Sequence, residues 1–534
     1  MPHLDVPAGR HRIMKALPPR ALALSTSLVL AITASSATAF GEDTEEIPFA
    51  DPLMVPLEPS AVGPFEIGLH GDLTLWADTF ERPADQGRGG GLYHRTRAGG
   101  FGRFHSLSLH AEADLAAGRF AGAGIPTPPP VGDHGARPFH PAFDALPQSI
   151  DPRQLYLQWE SPVGQLQAGL QTSQWGLGLV ANDGAQDDYF FGMPFGGDRA
   201  LRVLFATAPL RPAPGPDFLD DIFLVVGADR VFRDENADWL AGDEAYQAIT
   251  SLFWQGDQGL LGGYAAYRDQ TDRDGSTLRI LAMDLAAQGR WTTDDDIWSF
   301  SLAAEGAYLL GETTRADGPD LTQPIHVEAL GLATHGEIRH NTSGIATQLR
   351  AGFASGDSNP RNQNLHRFRF DPNYRAGLLL FDHHIPAWTQ HSVDGAADEL
   401  TLRDTPRGID NLVESGSISN ALFIHPLILW GATDDLTFAT GFLTGVTHRS
   451  LRDLRATFEA GGDPVGVAGR PRAGRWLGWE AQAGVRYQYQ VWNSLTLAAR
   501  AEGAFLVPGE VFEDATFGSD APTALLRAYL SAHW

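Results

Sequence analysis

Arginine is the residue type in this sequence best placed to do chemistry. Arg350, Arg486, Arg500 and Arg527 each fall on the polar side of a stretch in which polar and apolar residues alternate. A planar guanidinium in that position offers paired, directional contacts to a carboxylate. Arg486 and Arg500 flank a turn at 491–495, and pairing Gln490 with Thr496 across it sets the two arginines opposite each other. Like charges that meet across a hairpin are unfavourable unless an anion or a carboxylate lies between them. Glu480, Glu502 and Glu305 are the internal candidates for that role, and a visiting anion is the external one. The chemistry expected is therefore selection of polar or anionic solutes, with no bond made or broken.

Catalytic and metal-binding constellations are not assembled by the sequence. There is no cysteine, so disulfides and thiolate ligands are excluded. Asp272-Arg273-Asp274-Gly275 has the centre of a calcium loop, but Gln270 stands where its first acidic ligand belongs and Leu281 where its bidentate glutamate belongs. His383-His384 beside Asp382 reads as a solvated pair in a long polar loop. Asp294-Asp295-Asp296 and Asp434-Asp435 read as turn residues, which leaves only loose cation binding among acidic loops. No serine, histidine and carboxylate can be placed together as a hydrolase at the rim would need, so the expectation is a non-enzyme without cofactor or assigned metal ligand.

The elements that must hold the arginines have a period of two. Leu107, Leu109, Ala111, Ala113 and Leu115 face away from Ser108, His110, Glu112 and Asp114. The same pattern sets Phe65, Ile67, Leu69, Leu73 and Leu75 against Glu66, His70, Asp72, Thr74 and Trp76. It also sets Leu477, Trp479, Ala481, Ala483, Val485, Tyr487 and Tyr489 against Glu480, Gln482, Arg486 and Gln488. Strands of about ten residues with one polar face are what a wet barrel interior requires. Short connections are expected near 99–102, 161–164, 209–220, 255–259, 290–296, 339–343, 431–435 and 491–494. Long ones are expected near 79–90, 117–152, 172–199, 231–246, 269–276, 311–325, 354–416, 447–474 and 507–522. Eight turns alternating with nine loops predict a transmembrane antiparallel β-barrel of about 18 strands, with short periplasmic turns and long outer loops.

Two stretches carry resemblances. The end of the chain, with Leu526, Ala528, Leu530, Ala532 and Trp534 on one face and Arg527, Tyr529, Ser531 and His533 on the other, resembles the terminal strand of bacterial outer-membrane barrels. That resemblance makes Trp534 an expected signal for the barrel-assembly machinery. The run from Ala351 to Pro360, which includes Ser355, Gly356, Asp357 and Asn359, is followed by Phe370-Asp371-Pro372. It resembles the alginate-export family, which has an 18-stranded barrel with an arginine-lined conduit for an anionic polysaccharide. This sequence departs from that pattern after Pro372, where Asn373-Tyr374-Arg375 follows. The implied function is a channel for polar or anionic solutes such as carboxylated saccharides, or export of a polysaccharide. The alternatives are a structural or surface-interaction barrel with a loop-plugged lumen, and a rim-site hydrolase.

The remainder concerns address and partners. Arg10, Arg12, Lys15 and Arg20 precede an apolar run to about Ala34 and the triplet Ala37-Thr38-Ala39, the order of a cleavable secretory signal over residues 1–39. Met14 would serve equally well as a start. Residues 40–63 read as a short acidic, proline-containing periplasmic segment, and 64–534 as the barrel. Net charge is −26; loss of residues 1–39, which carry four basic groups and one acid, would leave −29. So acidic a chain does not suit nucleic acid. The partners expected are outer-membrane lipid and lipopolysaccharide, the assembly machinery and small solutes, with the chain acting as a monomer.

Overall fold

Alternation of side chains along the strands dictates a wall with two unlike faces. The computed structural model describes residues 65–81, 88–124, 148–185, 190–192, 196–211, 216–315, 323–357, 362–386, 388–389, 416–451, 460, 465, 474–492, 494–512 and 521–534. The signal segment, the periplasmic lead and Asn359 lie outside the described residues. The strands are β1 Phe65–Glu81, β2 Arg88–Phe104, β3 Leu107–Gly124, β4 Gln148–Ser161, β5 Gly164–Thr172, β6 Arg199–Thr207, β7 Ile222–Arg233, β8 Glu244–Gly256, β9 Gly259–Thr271 and β10 Thr277–Thr292. They continue with β11 Trp298–Thr313, β12 Ile325–His340, β13 Ile345–Ala354, β14 Asn364–Leu365, β15 Ala421–Thr433, β16 Leu436–Thr447, β17 Trp476–Trp492, β18 Leu495–Pro508 and β19 Thr523–His533.

Each long strand pairs antiparallel with the next, β13 pairs with β15, and β19 returns to β1, so eighteen strands close into a barrel. The two-residue β14 is an addition. Ala354 of β13 stops opposite Gly331, and β14 runs parallel to β12 beyond that point, pairing His326 with Asn364. Turns and loops alternate as expected, with two-residue turns at 162–163, 257–258 and 434–435.

The seam is closed by the last residue. Gly71 N donates to the Trp534 carbonyl at 2.8 Å and Trp534 N donates back to the Gly71 carbonyl at 2.9 Å. A Cβ at Gly71 would stand 2.5 Å from the Trp534 ring and 2.7 Å from the Arg97 carbonyl, so only glycine lets the indole lie there. Gly71→Val is expected to cut the yield of heat-modifiable, assembled barrel severely, and Trp534→Ser to lower it too, as read by folded and unfolded bands on a gel. Normal assembly of both would remove the seam from the argument.

The outer face is apolar and the inner face polar. Leu526 and Leu530 are 67% and 60% exposed, whereas Arg527 and Tyr529 between them are buried. Around the short-turn end, Phe104, Trp159, Trp291, Trp298, Trp430 and Trp492 all point outward. Trp291 stacks on Phe300, and Trp430 on Phe438. An apolar band edged by aromatic side chains is what a bilayer and its interface cover, and among the described residues no helix is long and apolar enough to cross a membrane. The described strands form a transmembrane β-barrel.

Two sequence expectations are corrected. The first turn is at His105-Ser106, and β2 runs straight through Gly99-Gly100. Those glycines are strand residues under close neighbours: a Cβ at Gly99 would come 2.6 Å from His70 Nε2, and one at Gly100 would come 2.5 Å from the Gly68 carbonyl. Leu477, expected on the lipid face, is buried inside. Gly478 has φ +104° and the ladder shifts register at Gly445/Val446, so a bulge turns the residue before it inward. The eighteen barrel strands run from 9 to 18 residues, most of them longer than the ten or so expected.

Candidate functional site

The lumen is built by two outer loops that fold inward. Parts of 173–198 and 355–420 bring Leu179, Phe191, Phe370, Tyr374, Leu379 and Phe381 into one apolar cluster with the inward faces of the wall. Room for them comes from Ala303, Ala307, Ala329, Ala333 and Ala346 on β11, β12 and β13, all buried. A wet lumen would place polar groups there, so alanine on an otherwise polar inward face is the signal that could have revealed the filling.

Inward carboxylates on the wall hold these loops by their backbones. Glu480 on β17 accepts hydrogen bonds from the N–H groups of Leu378 at 2.7 Å, Leu379 at 3.1 Å and Leu380 at 2.8 Å. Glu305 on β11 accepts from Leu179 N at 3.0 Å, and Glu502 on β18 accepts from Phe191 N at 2.9 Å. Asp284 on β10 accepts from the Trp175 indole at 3.1 Å. Arg153 on β4 donates to the carbonyls of Gly196 and Asp183. Glu480 and Glu305, expected as neutralisers of arginine, are therefore clamps on loop amides.

The four arginines from the sequence all point inward, and the register does set Arg486 opposite Arg500. Arg500 Nε lies 3.5 Å from Glu502 Oε1, and its guanidinium carbon lies 4.0 Å from the centre of the Tyr529 ring. Arg527 reaches Asp78 at 3.8 Å and the Tyr529 hydroxyl at 3.3 Å. Arg486 lies over the Phe190 ring, and Arg350, three strands away on β13, donates to Gln348 at 3.3 Å. Arg486, Arg500 and Arg527 form one patch, and Arg350 belongs to a different part of the wall, beside the buried His425.

A second set of inward arginines, on β2 to β6, was not singled out from the sequence. Arg97 grips Asp114 at 2.7 and 3.1 Å, Arg153 meets Glu112 at 2.8 Å, and Arg202 grips Asp229 at 2.8 and 2.7 Å. Beside them lies a cavity of about 380 Å³. Its wall is part polar and part apolar: Gln154, Gln158, Gln167 and Gln171 from β4 and β5, the Tyr156 and Tyr264 phenols and Trp175 from the infolded loop, together with Leu204, Val225, Ile249 and Phe253. Gln167 Nε2 donates to Gln158 Oε1 at 3.1 Å, and Gln158 Nε2 to Glu160 Oε1 at 3.3 Å, so the amides form a ladder along the wall. Arg202 and Arg103 place guanidinium groups at its edge. Alternate glutamines at 154, 158, 165, 167 and 171 were visible in the sequence as a polar face without charge.

The loop motif stands at the base of the infold. Ser355 Oγ donates to the His366 carbonyl at 2.6 Å and accepts from Leu330 N at 2.9 Å, fastening the segment to β12. Gly356 N donates to His448 Nδ1, and Asp357 Oδ2 accepts from His366 N at 3.0 Å. These are structural contacts. Asp371 N donates to the Leu179 carbonyl at 2.9 Å, joining the two infolded segments. His383 and His384, expected as solvated, sit in a π-helical turn, Leu380–His384, that packs into the barrel. His383 is buried and the His384 ring meets Phe512 edge-on at 4.4 Å.

No protein-family model matches the chain, and no curated protein matches it. Solved structures to which it is similar include OccK2 (OpdF) of Pseudomonas aeruginosa, at 12% identity with a TM-score of 0.44, covering 87% of this chain and 96% of that one. Acinetobacter baumannii OccAB1 has 10% identity, a TM-score of 0.46 and the same coverages. A BenF-like porin from Pseudomonas fluorescens Pf-5 has 10% identity, a TM-score of 0.45 and covers 87% of this chain and 98% of that one. The likeness to these porins is one of fold alone.

Proposed function

We propose that the chain is an outer-membrane channel for small polar solutes, carboxylated saccharides among them, with a lumen narrowed by its infolded loops. The observation that carries this reading is the cavity. Amides that both donate and accept suit hydroxyl groups, aromatic faces suit the C–H faces of a sugar ring, and a guanidinium suits a carboxylate. A space of about 380 Å³ is of small-ligand size, which favours a single sugar over a polymer chain. The alginate-export resemblance thus contributes architecture, while its motif residues Ser355, Gly356 and Asp357 hold a loop base. The apolar filling between β11 and β18 supports a second reading, a barrel whose loops close it and which serves as a surface element.

Recording from purified protein in planar bilayers separates the two. The channel reading expects small, discrete conductance steps that glucuronate blocks at lower concentration than glucose; silence from folded protein favours the closed barrel. Selectivity follows from local charge, because at about 0.15 M salt the Debye length is about 8 Å and distant acidic loops are screened. Arg486, Arg500 and Arg527 lie on the inward face of three neighbouring strands, β17 to β19, and rings of arginine favour anions, so a weak anion preference is expected despite the acidic chain. Changing Arg486, Arg500 and Arg527 together to Gln should move the reversal potential toward cations. A wild-type channel that already prefers cations would sink this assignment.

A further inference from the structure

Three carboxylates from three separate outer-side stretches converge. Asp198 closes the first infolded segment just before β6, Glu235 lies in the loop between β7 and β8, and Asp371 lies in the second infolded segment. One oxygen of each lies within 4.8 Å of the others. Asp198 and Asp371 are more than nine-tenths buried, at 8% and 2% exposure. Asp198 Oδ2 accepts from Asn182 N at 3.2 Å and Asp371 Oδ1 from Asn373 N at 2.7 Å. The second oxygens, Asp198 Oδ1 and Asp371 Oδ2, have no hydrogen-bond donor among the described residues.

Buried acceptors without donors are costly, and here they belong to groups that also repel each other. Arg202 and Arg268 stand near enough to act on Asp198. Asp234 adds a further negative charge but is gripped by Arg268 through Oδ1 and Oδ2, and Arg268 and Arg369 both act on Glu235. Burial pushes all three carboxyls above their usual range, helped at Asp198 by Asp371 and Glu235, at Asp371 by Glu235, and at Glu235 by Asp234, which takes Glu235 to about 7.

We propose that Asp198, Glu235 and Asp371 form a binding site for one divalent cation of the calcium type, which ties both infolded loops to the β7–β8 loop. The geometry suits that ion. Calcium takes oxygen ligands at about 2.3–2.6 Å in flexible arrangements, so two ligands on opposite sides of one ion stand about 5 Å apart, and the observed convergence falls within that span. All donors are hard oxygens, which excludes preference for thiolate- or imidazole-seeking metals. Magnesium demands a stricter octahedron and keeps more of its water, so calcium should bind in preference.

The test uses full-length mature protein refolded without lipopolysaccharide, stripped of metal and titrated with calcium chloride near neutral pH by calorimetry. One calcium per chain is expected, with magnesium competing weakly. Asp371→Asn should weaken binding about tenfold or more, and Asp371→Asn with Glu235→Gln should abolish it, both with heat-modifiable folding retained. Should the variants not fold, the wild type still decides: calcium should raise its unfolding temperature and a chelator should reverse the rise. No binding at millimolar calcium, or binding unchanged in the double variant, overturns the proposal.

Discussion

Glu480→Ala is expected to raise single-channel conductance several-fold, because it releases the segment that fills the barrel beside β17. One carboxylate serves the N–H groups of Leu378, Leu379 and Leu380, all fully buried. Left without an acceptor, each buried N–H costs about 1–3 kcal/mol, which is enough in sum to favour a rearranged segment over the native one. Glu480→Gln keeps one acceptor oxygen and should give an intermediate effect. Amide exchange at 378–380 should accelerate in step with conductance. Faster exchange with unchanged conductance would show that this segment is filling and not constriction.

Arg202→Met should destabilise the barrel by about 3–5 kcal/mol, the usual cost of stranding a buried charge. Its partner Asp229 has a side chain 0% exposed, and Arg202 also donates to Ser173 Oγ at 2.6 Å, so the loop that floors the cavity loosens too. Replacing both members, with Arg202→Met and Asp229→Leu, should recover most of that stability because no uncompensated charge remains. Block by glucuronate should stay weakened in the double variant, since the guanidinium at the cavity edge is still gone. Urea unfolding in detergent reads the first effect and bilayer recording the second. Recovery of both together would make Arg202 a structural residue only.

The sequence by itself determined the wall. Side-chain direction in a strand depends only on odd or even position, so the inner and outer faces of β1, β3, β17 and β19 were legible without any contact being known. A hairpin is equally local: choosing Gln490 opposite Thr496 was enough to set Arg486 opposite Arg500, as observed. The alternation of short and long connections likewise yielded eighteen strands. Local reading failed where one residue type has two uses. Gly99-Gly100 served close packing within β2 and not a turn, and Gly478 introduced a bulge that reversed Leu477.

Only the tertiary structure decided what fills the wall. Glu480 meets amides about a hundred residues earlier in the chain, and Asp198, Glu235 and Asp371 converge from three connections with nothing in their spacing to join them. Those contacts depend on how far each loop reaches into the lumen, a property of packing against Ala303, Ala307 and Ala329 that no pattern within the loop encodes. The arginines followed the same division. Their inward direction is set by strand periodicity, and Glu502, Tyr529 and Gln348 lie two residues from Arg500, Arg527 and Arg350 on the same strands, but Arg527 meets Asp78 only because β19 closes on β1.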